Sequence, residues 1–239
     1  MNTWLFDLGN TRLKCAPLQA DGSIGETLAI AHDDDGDWLE ALPSGAVACI
    51  ASVASDALRA TLFDALCTRF TRLHRARTER EHGPLRIAYE NPAHLGVDRF
   101  LAMLGQCGEG PALVVGVGTA LTIDLLGADG RHHGGRIAPS PRLMREALHA
   151  RAVQLPPEGG RYAEFADDTD HALASGCEGA ALALVERSLQ AAESMLGLPA
   201  ALCLHGGGAE ALRDRLPDHR WLPDAVLRGL ARWHALRIA

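Results

Sequence analysis

Apolar residues open the chain in a short run, Trp4-Leu5-Phe6, which meets Asp7, then Gly9-Asn10-Thr11, then a second apolar and basic stretch through Leu13 and Lys14. An apolar run, a glycine turn and a second run predict a β-hairpin, with Asp7 at its mouth and Gly9-Asn10 in the turn. Gly25 to Ala31 reads as a third strand, and Val47 to Val53 as a strand buried on both faces. Ser55-Asp56 then caps a helix whose apolar positions, Leu58, Leu62, Phe63 and Leu66, share one face. Trp38 to Leu42 predicts a short helix ended by Pro43. The acidic cluster Asp33-Asp34-Asp35-Gly36-Asp37 lacks the spacing and closing Glu of a calcium loop and reads as a solvated loop. The arginines at 69, 72, 75, 77 and 80 read as a solvated edge strand and loop, or as a route for an anionic substrate.

Glu90-Asn91-Pro92 breaks the chain before Leu95-Gly96-Val97-Asp98-Arg99-Phe100, where a helix begins with Asp98 and Arg99 in its first turn. Arg99 can hold a carboxylate or phosphate bidentately, and Asp98 at a helix N-terminus can accept a proton from a hydroxyl. A salt bridge at the helix start is the alternative. Gly105 to Pro111 is the best domain boundary. Beyond it the pattern repeats: strand Ala112 to Val117, turn Gly118-Thr119, strand Leu121 to Leu126, turn, and a third strand from about His133 to Ala138. Two halves built alike, each with a glycine hairpin, would present two phosphate-binding turns across one cleft. Ser140-Pro141 starts another helix. An irregular stretch from Leu155 ends in Asp168-Thr169-Asp170, where Thr169 touches substrate or caps a turn. A long helix follows, from about Ala172 to Leu196. Its Ala180-Ala181-Ala183 face suits close packing, including across a dimer, and Gly176 and Gly179 allow a backbone to approach. A buried strand, Ala201 to His205, runs into Gly206-Gly207-Gly208-Ala209, a turn that can carry a phosphate. A last helix spans Asp224 to about Leu236.

Composition narrows the function classes. The 239 residues are 47% hydrophobic and 22% charged, with a net charge of −7, which argues against general nucleic-acid binding but not against a local anion site. No apolar run approaches the roughly 20 residues of a bilayer span, so no membrane association is expected. Met1-Asn2-Thr3-Trp4 has no basic segment followed by an apolar run, so no signal peptide is expected and the protein is placed in the cytoplasm. The six cysteines are scattered without a C-x-x-C pair, as buried, reduced residues would be. His132-His133 on one strand would point to opposite faces and so is not read as a metal site.

Several of these stretches occur in one order: Asp7-x-Gly9-Asn10-Thr11, then Tyr89-Glu90-Asn91-Pro92-x-x-Leu95-Gly96-Val97-Asp98-Arg99, then Gly118-Thr119-Ala120-x-Thr122-x-Asp124, then Gly134-Gly135-x-Ile137-x-Pro139. Together they resemble type III pantothenate kinase, the Bvg accessory factor-like family, over nearly the whole chain. The resemblance implies an α/β fold of two ribonuclease-H-like domains, like actin, Hsp70 and the sugar kinases (ASKHA), at residues 1–108 and 109–239. It implies ATP-dependent phosphorylation of pantothenate to 4'-phosphopantothenate, the first step of coenzyme A synthesis, by a homodimer. Carried over by position, Asp98 is the general base. Asp7, Leu8, Gly9, Asn10, Thr11, Arg12, Leu13 and Lys14 form the phosphate loop, with Asp7 placed for Mg²⁺ and Thr119 a further ATP contact. Tyr89, Gly96, Val97, Asp98, Arg99 and Thr169 match substrate-binding positions.

One position departs from the family. An Asp that serves a monovalent cation, K⁺ or NH₄⁺, usually lies two residues before Gly-Thr-Ala; here it is Gly116. Backbone oxygens suffice, or Asp124 compensates, or the dependence is lost. A regulatory accessory factor of the same fold with little kinase turnover, and a kinase for another small alcohol, are the alternative readings.

Overall fold

The structure is a computed structural model that describes residues 2–32 and 37–238. The expected acidic loop therefore lies outside the described residues, apart from the backbone of Asp37. The chain forms two compact units, residues 1–108 with 224–239, and residues 109–223.

In the first unit, Thr3–Leu8 (β1), Arg12–Leu18 (β2) and Leu28–Ala31 (β3) form an antiparallel meander. A 3-10 turn at Asp37–Leu39 takes the place of the short helix expected near Trp38. Gly45–Ser52 (β4) and Phe70–Arg75 (β5) then add in parallel on the other side of β1, giving the order β3-β2-β1-β4-β5. Asp56–Cys67 (α1) makes the crossover, and the Ser55 hydroxyl caps it by accepting the Leu58 amide at 3.3 Å. Strand alternation sorts the side chains. Phe6, Leu8, Leu13, Ala48 and Ile50 face α1, where Leu62 and Leu66 close a fully buried cluster. Phe6 meets Phe70 edge-on at 5.6 Å. The arginine-rich stretch is the edge strand β5 and the loop after it. Short strands Glu81–His82 (β6) and Leu85–Arg86 (β7) pair in a small hairpin before Val97–Gln106 (α2).

The second unit repeats the plan. Ala112–Val117 (β8), Ala120–Leu126 (β9) and His132–Pro139 (β10) are the meander. Helices Pro141–His149 (α3) and Thr169–Leu196 (α4) follow, then Ala201–His205 (β11), Glu210–Arg213 (α5) and His219–Trp221 (β12). The order β10-β9-β8-β11-β12 matches the first sheet strand for strand in position and sense. The repeat predicted for three strands thus extends to all five.

The final helix, Ala225–Ile238 (α6), corrects the expected division at 108/109. It was assigned to the second half but belongs to the first unit. The reason is its packing on α2. A Cβ on Gly229 would overlap the Leu101 carbonyl, and one on Gly105 would lie 3.3 Å from the Gly229 nitrogen. The two helices therefore cross at glycines, backbone against backbone. A second correction concerns α4. Ala181 is fully buried in its own unit's core with Val185 and Leu182, whereas Gly176, Ala180 and Ala183 are exposed. A Cβ on Gly179 would stand 3.7 Å from the Tyr162 ring, so a side chain and not a backbone lies there.

Candidate functional site

In the first unit the sheet face opposite α1 carries the chemistry. On β1, Leu5 and Asp7 alternate with the buried Phe6 and Leu8, and Asp7 pairs in register with Lys14 on β2. Leu8 and Leu13 lie in the core, so of the predicted phosphate loop only their backbone is open to a ligand. At the hairpin tip the Gly9 amide donates to the Arg12 carbonyl at 3.2 Å, and Asn10, Thr11 and Arg12 are exposed. Lys14 lies 3.9 Å from Asp224, the residue before α6.

Asp98 is the second residue of α2. A Cβ on Gly96 would stand 2.5 Å from Asp98 Oδ1, so only glycine leaves that carboxylate where it is. Asp7 is close enough to feel it. Burial first, and the Asp98 charge second, push the Asp7 carboxyl up to about 7, against the pull of Lys14. Both carboxylates are half-buried and feel each other's charge, and carboxylate oxygens are donors of the kind a hard divalent ion takes. Arg99 is 5% exposed, donates to the Tyr89 hydroxyl at 3.4 Å, and has its guanidinium 5.9 Å from the Tyr89 ring centre. Tyr89, Gly96, Val97, Asp98 and Arg99 are therefore assembled at one helix start. Two residues outside the predicted site set, Asn91 and Thr78, pin this loop. Asn91 caps the 3-10 turn Pro92–His94 by accepting the Ala93 amide at 3.0 Å, and the Thr78 hydroxyl donates to the Leu95 carbonyl at 2.7 Å.

In the second unit Thr119 sits exposed at the β8–β9 tip, where the Gly118 amide donates to the Ala120 carbonyl at 2.9 Å. Gly116 is buried two residues before that tip. A Cβ there would meet His205 Cε1, His205 Nε2 and Thr122 Oγ1, each at 2.8 Å. Parallel pairing of β8 with β11 sets His205 directly opposite Gly116. Among the described residues, the atoms nearest this position belong to an imidazole and a hydroxyl. Asp124 is 2% exposed and lies 3.0 Å from His132 Nε2, itself fully buried. After β11 the glycine turn closes on the same hairpin, with the Gly208 amide donating to the Val117 carbonyl at 2.9 Å. Thr169 is exposed in the first turn of α4. The cap there is Asp168, which accepts the His171 amide at 2.8 Å and has its other carboxylate oxygen 2.6 Å from the His171 ring. Only the register of β8 with β11 reveals His205, and a single sequence does not print it.

A family model described as type III pantothenate kinase matches residues 4–191. A type III pantothenate kinase from Xanthomonas campestris pv. campestris is 58% identical over 237 residues, covering 98% of this chain and 97% of that one. Another, from Stenotrophomonas maltophilia, is 56% identical over the same shares. Among solved structures, one from Campylobacter jejuni described as a Baf family transcriptional activator covers 98% of both chains, with a TM-score of 0.66 at 18% identity. One from Listeria monocytogenes described as an N-acetylmannosamine kinase covers both chains fully, with a TM-score of 0.54 at 14% identity. An archaeal actin homologue also covers both fully, with a TM-score of 0.50 at 11% identity. These likenesses place the fold with actin and the sugar kinases.

Proposed function

The chain belongs to the type III pantothenate kinase family, and from that membership we propose a division of labour among its own residues. The protein phosphorylates pantothenate for coenzyme A synthesis, using ATP and a divalent metal ion. Asp98 orients the primary hydroxyl and takes its proton as the phosphoryl group arrives. The observation that carries this is the glycine at 96, which makes room for a carboxylate at the start of α2. Asp7 would hold Mg²⁺, and the ion, when bound, offsets the charge of the nucleotide phosphates. The hairpin amides and side chains from Gly9 to Lys14 position those phosphates. Thr119 offers the equivalent hydroxyl in the second unit. Arg99, steadied by Tyr89, takes the pantothenate carboxylate, while Gly96, Val97 and Thr169 line the substrate.

Gly116 does not fit a carboxylate-held monovalent cation, because His205 and Thr122 fill the space such a side chain would need. We assign no K⁺ or NH₄⁺ dependence to this position. The chain acts as a homodimer. In support, exposed Gly176, Ala180 and Ala183 form a stripe of small residues on α4, beside an apolar groove lined by Leu143, Met144 and Leu148 of α3. No helix among the described residues is long and apolar enough to cross a membrane, and the cytoplasm is the compartment we propose. Close placement of Asp7 and Asp98 favours catalysis over a purely regulatory role.

The test is ADP release with pantothenate and MgATP, for the wild type and Asp98→Asn. The variant is expected to lose about 10²–10⁴ in kcat. An unchanged rate overturns the base role, and an inactive but folded wild type overturns the function. Other small alcohols offered in place of pantothenate separate the two kinase readings.

A further inference from the structure

Cys49, His74 and His234 are far apart in sequence but meet on the sheet face that carries Asp7. Register pairs Cys49 on β4 with His74 on β5, so the two side chains share a face. Helix α6 packs over β4 and brings His234 onto them. The three donor atoms all lie within 4.8 Å of one another. Cys49 is fully buried and His234 is 7% exposed, while His74 on the edge strand keeps partial access to solvent, an entry path. The imidazole centres are 5.7 Å apart. Nδ1 of His74 and Nδ1 of His234 are both buried and find no hydrogen-bond partner among the described residues. A buried polar nitrogen left so is unfavourable, and a soft metal ion is a partner that satisfies two imidazoles and a thiol together.

We propose that Cys49, His74 and His234 form a three-coordinate site for a thiophilic d¹⁰ metal ion, Cu⁺. Ligand softness selects Cu⁺ or Zn²⁺, and charge decides between them. Arg72 and Arg237 bear on both histidines. One thiolate, two neutral imidazoles and Cu⁺ sum to zero, whereas Zn²⁺ would leave a net positive charge facing two guanidinium groups. Binding exchanges one proton: the Cys49 S–H bond breaks as the S–Cu bond forms, the proton passes to solvent, and nothing is oxidised or reduced. The bound ion would tie β4, β5 and α6 together.

The experiment uses the full chain carrying Cys67→Ser, which removes the exposed cysteine. Cu⁺ is titrated without oxygen against a chromophoric Cu⁺ chelator. One ion per chain is expected, with a melting temperature higher by about 5 °C or more and one sulfur and two nitrogens in the X-ray absorption spectrum. Cys49→Ser, His74→Gln and His234→Gln should each weaken binding by at least the roughly 10-fold to 100-fold that loss of a ligand's supporting contact costs. Turnover with MgATP confirms that each metal-free variant is folded. Half-exposed His74 is the substitution least able to disturb the core. No binding by the parent, binding by both histidine variants as tight as the parent's, or tighter holding of Zn²⁺ than Cu⁺ by these residues overturns the proposal.

Discussion

Gly96 sets the position of Asp98. The space beside its Cα is taken by Asp98 Oδ1, at a distance of 2.5 Å from where a Cβ would stand. Gly96→Ala must therefore push the carboxylate away from the helix start. The displacement should cost about 10²-fold in kcat, the scale of a small misplacement of a reacting group. KM for ATP should change little. Steady-state kinetics check it, and a variant with wild-type kcat refutes the steric argument.

Asp7 gives the metal-free protein a pH dependence of definite sign. Its carboxyl is raised to about 7 in the folded chain, from about 3.9 when unfolded. Between those values the folded state binds the extra proton, so stability falls as pH rises through that window and levels off above about 7. On the order of 2 kcal/mol is at stake, a figure reduced for the partial solvent access of the side chain. Melting curves recorded without Mg²⁺ from pH 5 to 8 should slope downward in the wild type and lie flatter in Asp7→Asn. Parallel curves would show that the carboxyl titrates normally.

A carboxylate at position 116 should be tolerated only when His205 is cut back. Gly116→Asp places a Cβ against the imidazole and the Thr122 hydroxyl, and overpacking of this kind costs about 1–3 kcal/mol. Adding His205→Ala should recover most of the loss in a urea melt. In the wild type, replacing K⁺ with Na⁺ should leave pantothenate turnover unchanged; a rate that collapses without K⁺ returns the cation to this enzyme.

The crossing of α2 and α6 predicts unequal costs for two similar substitutions. Gly229→Ala drives a methyl group into the Leu101 carbonyl and should destabilise by about 2 kcal/mol or more. Gly105→Ala meets the Gly229 nitrogen at 3.3 Å and the Ala225 carbonyl and Gly229 Cα at 3.5 Å, a milder clash, and its gain in helix propensity of about 1 kcal/mol offsets much of the strain. Denaturant midpoints order the two; the reverse order would mean that the helices slide freely.

Hairpins, caps and buried strands were legible because each depends on residues adjacent in sequence. Gly9-Asn10, Gly118-Thr119, Ser55 and Ser140 each stand where the local pattern places them. Asp98 and Arg99 at a helix start were equally local. What escaped depends on register and distance. The apolar spacing of α6 shows that it is buried, but not against which unit, and the glycines at 105 and 229 mean little until they are seen to face each other. The contact of Asp124 with His132 is equally hidden, because the two residues lie on paired strands, eight positions apart. Cysteine spacing alone likewise hid the meeting of Cys49 with two histidines.

The return of α6 also bears on how the protein is made. Residues 109–223 are contiguous and can collapse as soon as they leave the ribosome, whereas the unit that holds Asp7 and Asp98 lacks its closing helix until residues 225–238 have been synthesised. The sheet and helix that carry Asp7 and Asp98 therefore wait for α6 through the synthesis of the whole second unit.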